Sequence, residues 1–164
     1  MTRRCVFPVF CIALAAATSW PAAATHSRVA IEGSASDQAA LRQTLDALSD
    51  GFASGDLDKV MAYHHPAVVK ALAYDKLLVG RDALRAEMAG TFKAFRLEFV
   101  SDEIESFVVL GDVAIEQSRF AIRGTPRAGG APFLFRGRSQ VIYRRYAGSP
   151  SGWATFREII QPAL

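Results

Sequence analysis

The sequence predicts an α+β fold in which three N-terminal helices pack on a curved antiparallel sheet. Two observations carry this. Apolar residues recur every three or four positions between residues 36 and 92, the period of a helix facing a core. From Phe95 onward they alternate with polar residues, the period of a half-buried strand. Helices followed by a meander of strands bury their apolar sides by stacking as two layers.

The chain opens with a leader. Arg3 and Arg4 precede an apolar run from Cys5 to Ala17, followed by Thr18, Ser19, Trp20 and Pro21 and then by Ala22, Ala23 and Ala24. A basic start, a short apolar stretch and a small-residue cleavage site are the parts of a secretory signal peptide, so residues 1–24 are predicted to be removed. The run is shorter than the roughly 20 residues that cross a hydrocarbon core, so no membrane-embedded segment is expected after cleavage. The destination is the periplasm or the exterior. Residues 25–36 read as a flexible linker and residues 37–164 as a single domain, the 140 residues after the leader being an ordinary domain length.

Losing the leader changes the chemistry. Cys5 and Cys11 leave with it, and with them any disulfide, thiolate metal site or cysteine nucleophile. What remains carries 17 Lys+Arg against 16 Asp+Glu, unevenly spread: residues 25–117 hold 9 basic and 15 acidic side chains, residues 118–164 hold 8 and 1. That split suits an anionic partner, or two halves that attract each other within or between subunits.

The elements follow in order. Leu41, Leu45, Leu48 and Phe52 form one stripe on a helix over 36–54, which Gly55 ends. Asp56 caps a second, short helix with Val60, Met61 and His64 on its inner face; the pair His65 and Pro66 stops it, because a residue before proline is driven out of the α region. A short strand is expected over 67–74. Gly80, Arg81 and Asp82 open a third helix that aligns Leu84, Met88 and Phe92. Phe95, Leu97 and Phe99 then share one face of a strand that bends near Asp102 and runs to Leu110. Gly111 and Asp112 turn it into a strand over 113–123. After a Gly- and Pro-rich loop, Phe133, Phe135, Ser139, Val141 and Tyr143 lie on one face of the next strand; a turn over 148–152 leads to the last, 153–160.

Four motifs in this order carry a resemblance: Gly55-Asp56-Leu57-Asp58, Gly80-Arg81-Asp82-Ala83-Leu84, Gly111-Asp112-Val113-Ala114, and Tyr143-Arg144-Arg145 followed by Gly152-Trp153. As a set they resemble the nuclear-transport-factor-2-like superfamily, in its SnoaL-like branch of unknown function. The resemblance implies a cone, a bent sheet closed by three helices around an apolar pocket. The superfamily includes ketosteroid isomerases, polyketide cyclases, dehydratases and association domains, so the fold alone names no reaction. The ketosteroid isomerase branch needs a carboxylate base and an oxyanion hole of tyrosine and protonated aspartic acid. Here the resemblance sets Leu72 at the base position, Leu48 at the tyrosine position, and Ser139 or Gln140 near the second acid, so that mechanism is not expected. Gly51 also stands where the branch tends to have tryptophan, and His64-His65 where it tends to have acids.

His64 is the sharpest chemical candidate, because an inward-facing imidazole exchanges protons near neutral pH. It reads either as a general base or ligand donor at the pocket, with Tyr63 or Tyr74, or as a histidine bonded to the last carbonyls of its helix. Gln117 and Arg119 follow Val113 and Ile115 on one strand face and would orient a weakly acidic molecule at the pocket mouth, unless the face of Ala114, Ser118, Phe120 and Ile122 is the buried one. Tyr143, from the apolar face of its strand, completes the pocket set. Glu158 reads as a partner for a sheet arginine. No spacing marks a metal site, and no phosphate loop, nucleophile elbow or zinc-protease motif appears, so neither metal nor cofactor is expected. The arginine-rich strands lack exposed aromatics that stack bases, which argues against nucleic acid. Two classes remain: an exported binding domain for a small apolar or weakly acidic molecule or a protein, expected to be a homodimer through its sheet, or a cofactor-free isomerase, cyclase or dehydratase using His64.

Overall fold

The computed structural model describes residues 32–163; the expected signal peptide and residues 25–31 of the expected linker lie outside the described residues. The described end of that linker belongs to the folded unit. The Glu32 N–H donates to the Phe107 carbonyl at 3.1 Å, the Glu32 carbonyl accepts from Val109 N–H at 3.0 Å, and Ser34 caps the first helix by accepting from Asp37 N–H. Glu32 therefore binds the start of the described residues to the sheet edge.

Helix α1 runs Ala35–Ser54 and ends where Gly55 adopts the left-handed conformation, φ 71°. Asp56 accepts from Lys59 N–H and starts α2, Leu57–Ala62. This helix is shorter than the sequence suggested: His64 is already the first residue of strand β1, His64–Ala73. Strand β2, Lys76–Val79, pairs back on β1 as a hairpin that the sequence reading missed. Helix α3, Arg81–Ala94, follows, and then the long strands β3, Phe95–Leu110, β4, Val113–Pro126, β5, Phe133–Arg145, and β6, Trp153–Pro162.

The six strands make one curved, unclosed sheet in the order β2-β1-β6-β5-β4-β3. Every pairing is antiparallel except β1 with β6, so the sheet is mixed rather than wholly antiparallel. The helices cover its concave side, giving the cone. Its curvature has a local cause in β3, where the pairing with β4 skips Val100 and again Glu105. Each extra residue bends the strand and reverses which side chains face inward. The inward set thus passes from Phe99 to Asp102 and Ile104, then to Phe107, with an acid between two stretches of apolar residues.

Two packed clusters hold the cone. One joins Leu41 of α1 to Phe107, Ala114, Val141, Tyr143 and Trp153 of the sheet. The other joins Val60 and Met61 of α2 to Val68, Leu84 and Phe92. The stripe on α1 serves both, Leu41 and Leu45 in the first, Leu48 and Phe52 against the second.

The charge asymmetry is largely spent inside the chain. On the convex side of the sheet Arg123 pairs with Glu98, Arg119 with Glu103 and Glu105, and Arg138 with Glu105, while Arg145 reaches Asp37 and Asp112. The cross-strand pairs among these are largely exposed and of modest energy, and fix register more than they add stability.

Close approach of α1 and α2 rests on Gly51, which is buried: a Cβ there would lie 2.7 Å from Val60 Cγ2. Val60 is fully buried and β-branched, so it has little freedom to move aside. Gly51→Ala is expected to lower the free energy of urea unfolding by about 1–2 kcal/mol, overpacking outweighing alanine's better helix propensity. Adding Val60→Ala should make the pair of substitutions less costly than their sum; additive losses would contradict the clash.

Candidate functional site

Between the two clusters lies a cavity of about 340 Å3 on the concave side of the sheet. Most of its wall is apolar, supplied by Leu45, Leu48 and Phe52 of α1, Leu84 and Met88 of α3, and the inward faces of the strands. Phe95, Leu97 and Phe99 of β3 and Phe133, Phe135 and Val141 of β5 all lie on it. Leu48, Leu72 and Ser139 are there too, so none of the three positions that the ketosteroid isomerase comparison singled out offers an acid or base.

Much of the polar part of the wall comes from neighbouring strands. Glu116 on β4 is only 3% exposed and accepts a hydrogen bond from the Tyr143 hydroxyl at 2.7 Å. Ser118 and Ser139, paired across β4 and β5, lie 3.1 Å apart through their hydroxyls. Lys70 of β1 and Glu158 of β6 form a largely buried ion pair at 2.5 Å, so Glu158 meets a lysine rather than the arginine expected. Asp102 enters through the bulged strand.

Electrostatics single out Glu116. Burial strips water from its carboxyl and raises its pKa from 4.5 to about 7, with Asp102 and Glu158 adding repulsion; the hydrogen bonds from Tyr143 and Ser118 act the other way without cancelling the shift. Burial and the negative charge of Glu116 push the Tyr143 hydroxyl well above its ordinary pKa, so it remains a neutral donor. The carboxyl changes charge in the range where a general acid or base works best.

His64 lies on the same wall, 1% exposed. Its Nδ1 is 2.8 Å from the Val60 carbonyl, in the last turn of α2, so the ring bonds to a helix-end carbonyl and borders the cavity at once. Burial, then the charge of Lys70, holds its pKa well below the usual value, so it is neutral at pH 7. His65 turns away, accepting from Ala67 N–H and packing edge-on against Tyr146 and Phe156.

The other sequence candidates scatter. Tyr143 reaches the cavity. Tyr63 is buried beside His64 without lining it, and Tyr74 is fully exposed in the β1–β2 turn. Gln117 and Arg119 sit on the convex face, where Gln117 donates to Glu105 and Arg119 to Glu103 at 2.8 Å. The face of Ala114, Ser118, Phe120 and Ile122 is the inward one, and it carries Glu116. Arg119 borders a different concavity of about 600 Å3, with Arg136 and Arg138, on the outside of the sheet. Among the described residues no group of three or more His, Asp or Glu side chains is arranged to hold a metal ion. No described helix is long and apolar enough to cross a membrane.

Glu116 links the cavity to stability. Because its folded pKa is raised, folding favours the protonated carboxyl: its contribution is fully present below pH 4.5 and lost as pH rises towards 7. From pH 4.5 to 8 the wild type should lose roughly 3 kcal/mol that Glu116→Gln does not, at about 1.4 kcal/mol per pKa unit. Chemical denaturation of both proteins across that range checks it; parallel pH profiles would contradict a raised pKa.

The fold has counterparts in known proteins. No curated protein matches the chain. A conserved protein from Planctomyces limnophilus DSM 3776 superposes with a TM-score of 0.69 at 21% identity, over 77% of this chain and 98% of that one. A protein provisionally named a scytalone dehydratase, from Novosphingobium aromaticivorans DSM 12444, gives 0.69 at 14% identity over 78% and 85%. A nuclear transport factor 2-like superfamily protein from Salmonella enterica serovar Typhimurium LT2 gives 0.63 at 13% over 76% and 89%. At these identities the likeness is one of fold. The family model of the SnoaL-like domain matches residues 45–149, from α1 to the turn before β6, and the chain belongs to that family, within the nuclear-transport-factor-2-like superfamily.

Proposed function

We propose that this chain is an exported ligand-binding domain whose cavity takes a small, mainly apolar molecule with its polar end on the Glu116–Tyr143 side. The supporting observation is the cavity itself: about 340 Å3, apolar over most of its wall, with most of its polar groups on the strands of the sheet. That volume is in the range of small-molecule sites. The weakly acidic ligand that Arg119 suggested is not retained, because Arg119 faces outwards and the wall's own charges are mostly acidic.

A second reading, proton-transfer catalysis, is favoured by the Glu116 carboxyl held near pH 7 inside that cavity. In it Glu116, and not His64, gives or takes the proton, while the Tyr143 hydroxyl stabilises the carboxylate form. Dehydratase chemistry is attached by name to the Novosphingobium protein with the same fold, which supports the reaction class and nothing finer.

The neutral fluorescent probe N-phenyl-1-naphthylamine tests the binding reading. Wild-type protein should enhance its fluorescence saturably, and Leu72→Trp, which fills the cavity from β1, should weaken binding by about tenfold or more while the fold is retained by circular dichroism. Absence of saturable binding, or equal binding by the filled variant, would overturn it. We propose in addition export and pairing as a homodimer; protein recovered from an exporting host should begin at Thr25 and have a dimer's mass by light scattering, whereas an intact leader or a monomer's mass would contradict these two parts.

A further inference from the structure

The ring of His64 restricts what the cavity can recognise. Its Nδ1 faces the Val60 carbonyl at 2.8 Å, and a carbonyl oxygen has no hydrogen to give, so Nδ1 carries the proton. The ring is neutral, which leaves Nε2 as a bare lone pair: an acceptor and not a donor. That nitrogen is buried and has no hydrogen-bond partner among the described residues. A buried acceptor without a donor destabilises the site that holds it, and a ligand that supplies the donor recovers that loss on binding.

Neighbouring groups are already committed. Lys70 is held by Glu158, Glu87 on the wall by Lys76, and the Tyr143 hydroxyl hydrogen by Glu116. None of these is free to donate to Nε2. The one cation of the wall, Lys70, is held by Glu158, so an anionic ligand group finds no uncommitted positive charge there. A cationic amine would lose its hydration on entering, and two of the carboxylates it would seek, Glu87 and Glu158, already hold lysines. The group that fits is a neutral donor on an otherwise apolar molecule.

Resting on the binding reading above, we infer that the cavity selects an uncharged apolar alcohol or phenol whose hydroxyl donates to His64 Nε2. The hydroxyl oxygen keeps its lone pairs and can face the polar strands, while the hydrocarbon occupies the phenylalanine- and leucine-lined remainder.

Four naphthalene probes test this by calorimetry: 2-naphthol, 2-methoxynaphthalene, 2-naphthoate and 1-naphthylmethylammonium. Wild-type protein should bind 2-naphthol about tenfold more tightly than 2-methoxynaphthalene, and both ions more weakly than 2-naphthol. In His64→Phe, which keeps a flat ring and removes both nitrogens, the preference for naphthol should shrink to about twofold or less. Because His64 is buried, 15N NMR of the wild-type histidine provides a second measurement that does not depend on the variant's folding. The Nε2 resonance should move upfield on adding 2-naphthol and stay in place with 2-methoxynaphthalene. Equal binding of naphthol and its methyl ether, tighter binding of either ion, or an unmoved Nε2 resonance would overturn the inference and leave the cavity as a binding site. Failure of every probe to bind would overturn the binding reading beneath it.

Discussion

Taking a carboxyl group out of water is among the costlier things a fold can do, and this fold does it at Glu116. The side chain is 3% exposed on the concave face of β4, within reach of one phenol and one hydroxyl and near two other carboxyl groups. A carboxylate needs either bulk water or a cation, and the nearest cation in the wall, Lys70, is engaged by Glu158. The molecule therefore accommodates Glu116 by letting it hold a proton up to about pH 7. A leucine in its place would avoid the conflict. A position where stability is given up in this way is where function is to be sought.

The rest of the architecture makes such a position feasible. Long strands on a curved sheet present a row of alternate side chains to the interior, and three helices close over that row without filling it. The two apolar clusters supply the stability, one through Trp153 and Leu41, the other through Val60, Met61 and Leu84, all almost wholly buried. The space between them is left to ligand chemistry. Bulges at Val100 and Glu105 place Asp102 on the concave face and Glu105 on the convex one, where it anchors two arginines. The two bulges therefore shape both the cavity wall and the outer charge ladder.

Most of the fold was legible in the sequence, because periodicity and capping are local. The stripe from Leu41 to Phe52, the Gly55 stop, the Asp56 cap and the inward run of β5 each follow from neighbours a few residues away. The site was less legible. On β4 both faces mix apolar and polar residues, so alternation could not tell the side of Gln117 and Arg119 from that of Glu116 and Ser118, and an acid in a strand reads as solvent-facing until burial is known. Only the paired strands decide it. His64 was assigned to a helix and belongs to a strand, yet its ring still reaches the Val60 carbonyl because α2 ends one residue before Tyr63 and the chain turns there. Tyr74 fell outside the site because the hairpin β1–β2, with no glycine at its turn, carried none of the usual signals. Lys70 and Glu158 lie 88 positions apart in the chain, and only the β1–β6 pairing, parallel in an otherwise antiparallel sheet, brings them together.

The cavity keeps a carboxyl group protonated near neutrality, and the most direct measurement is the titration of that group itself. In protein labelled with 13C at glutamate side-chain carboxyls and assigned through Glu116→Gln, the Glu116 resonance should titrate with a midpoint near pH 7. A midpoint near 4.5 would mean that water reaches the carboxyl and that the concave face of β4 is not the enclosed site described here.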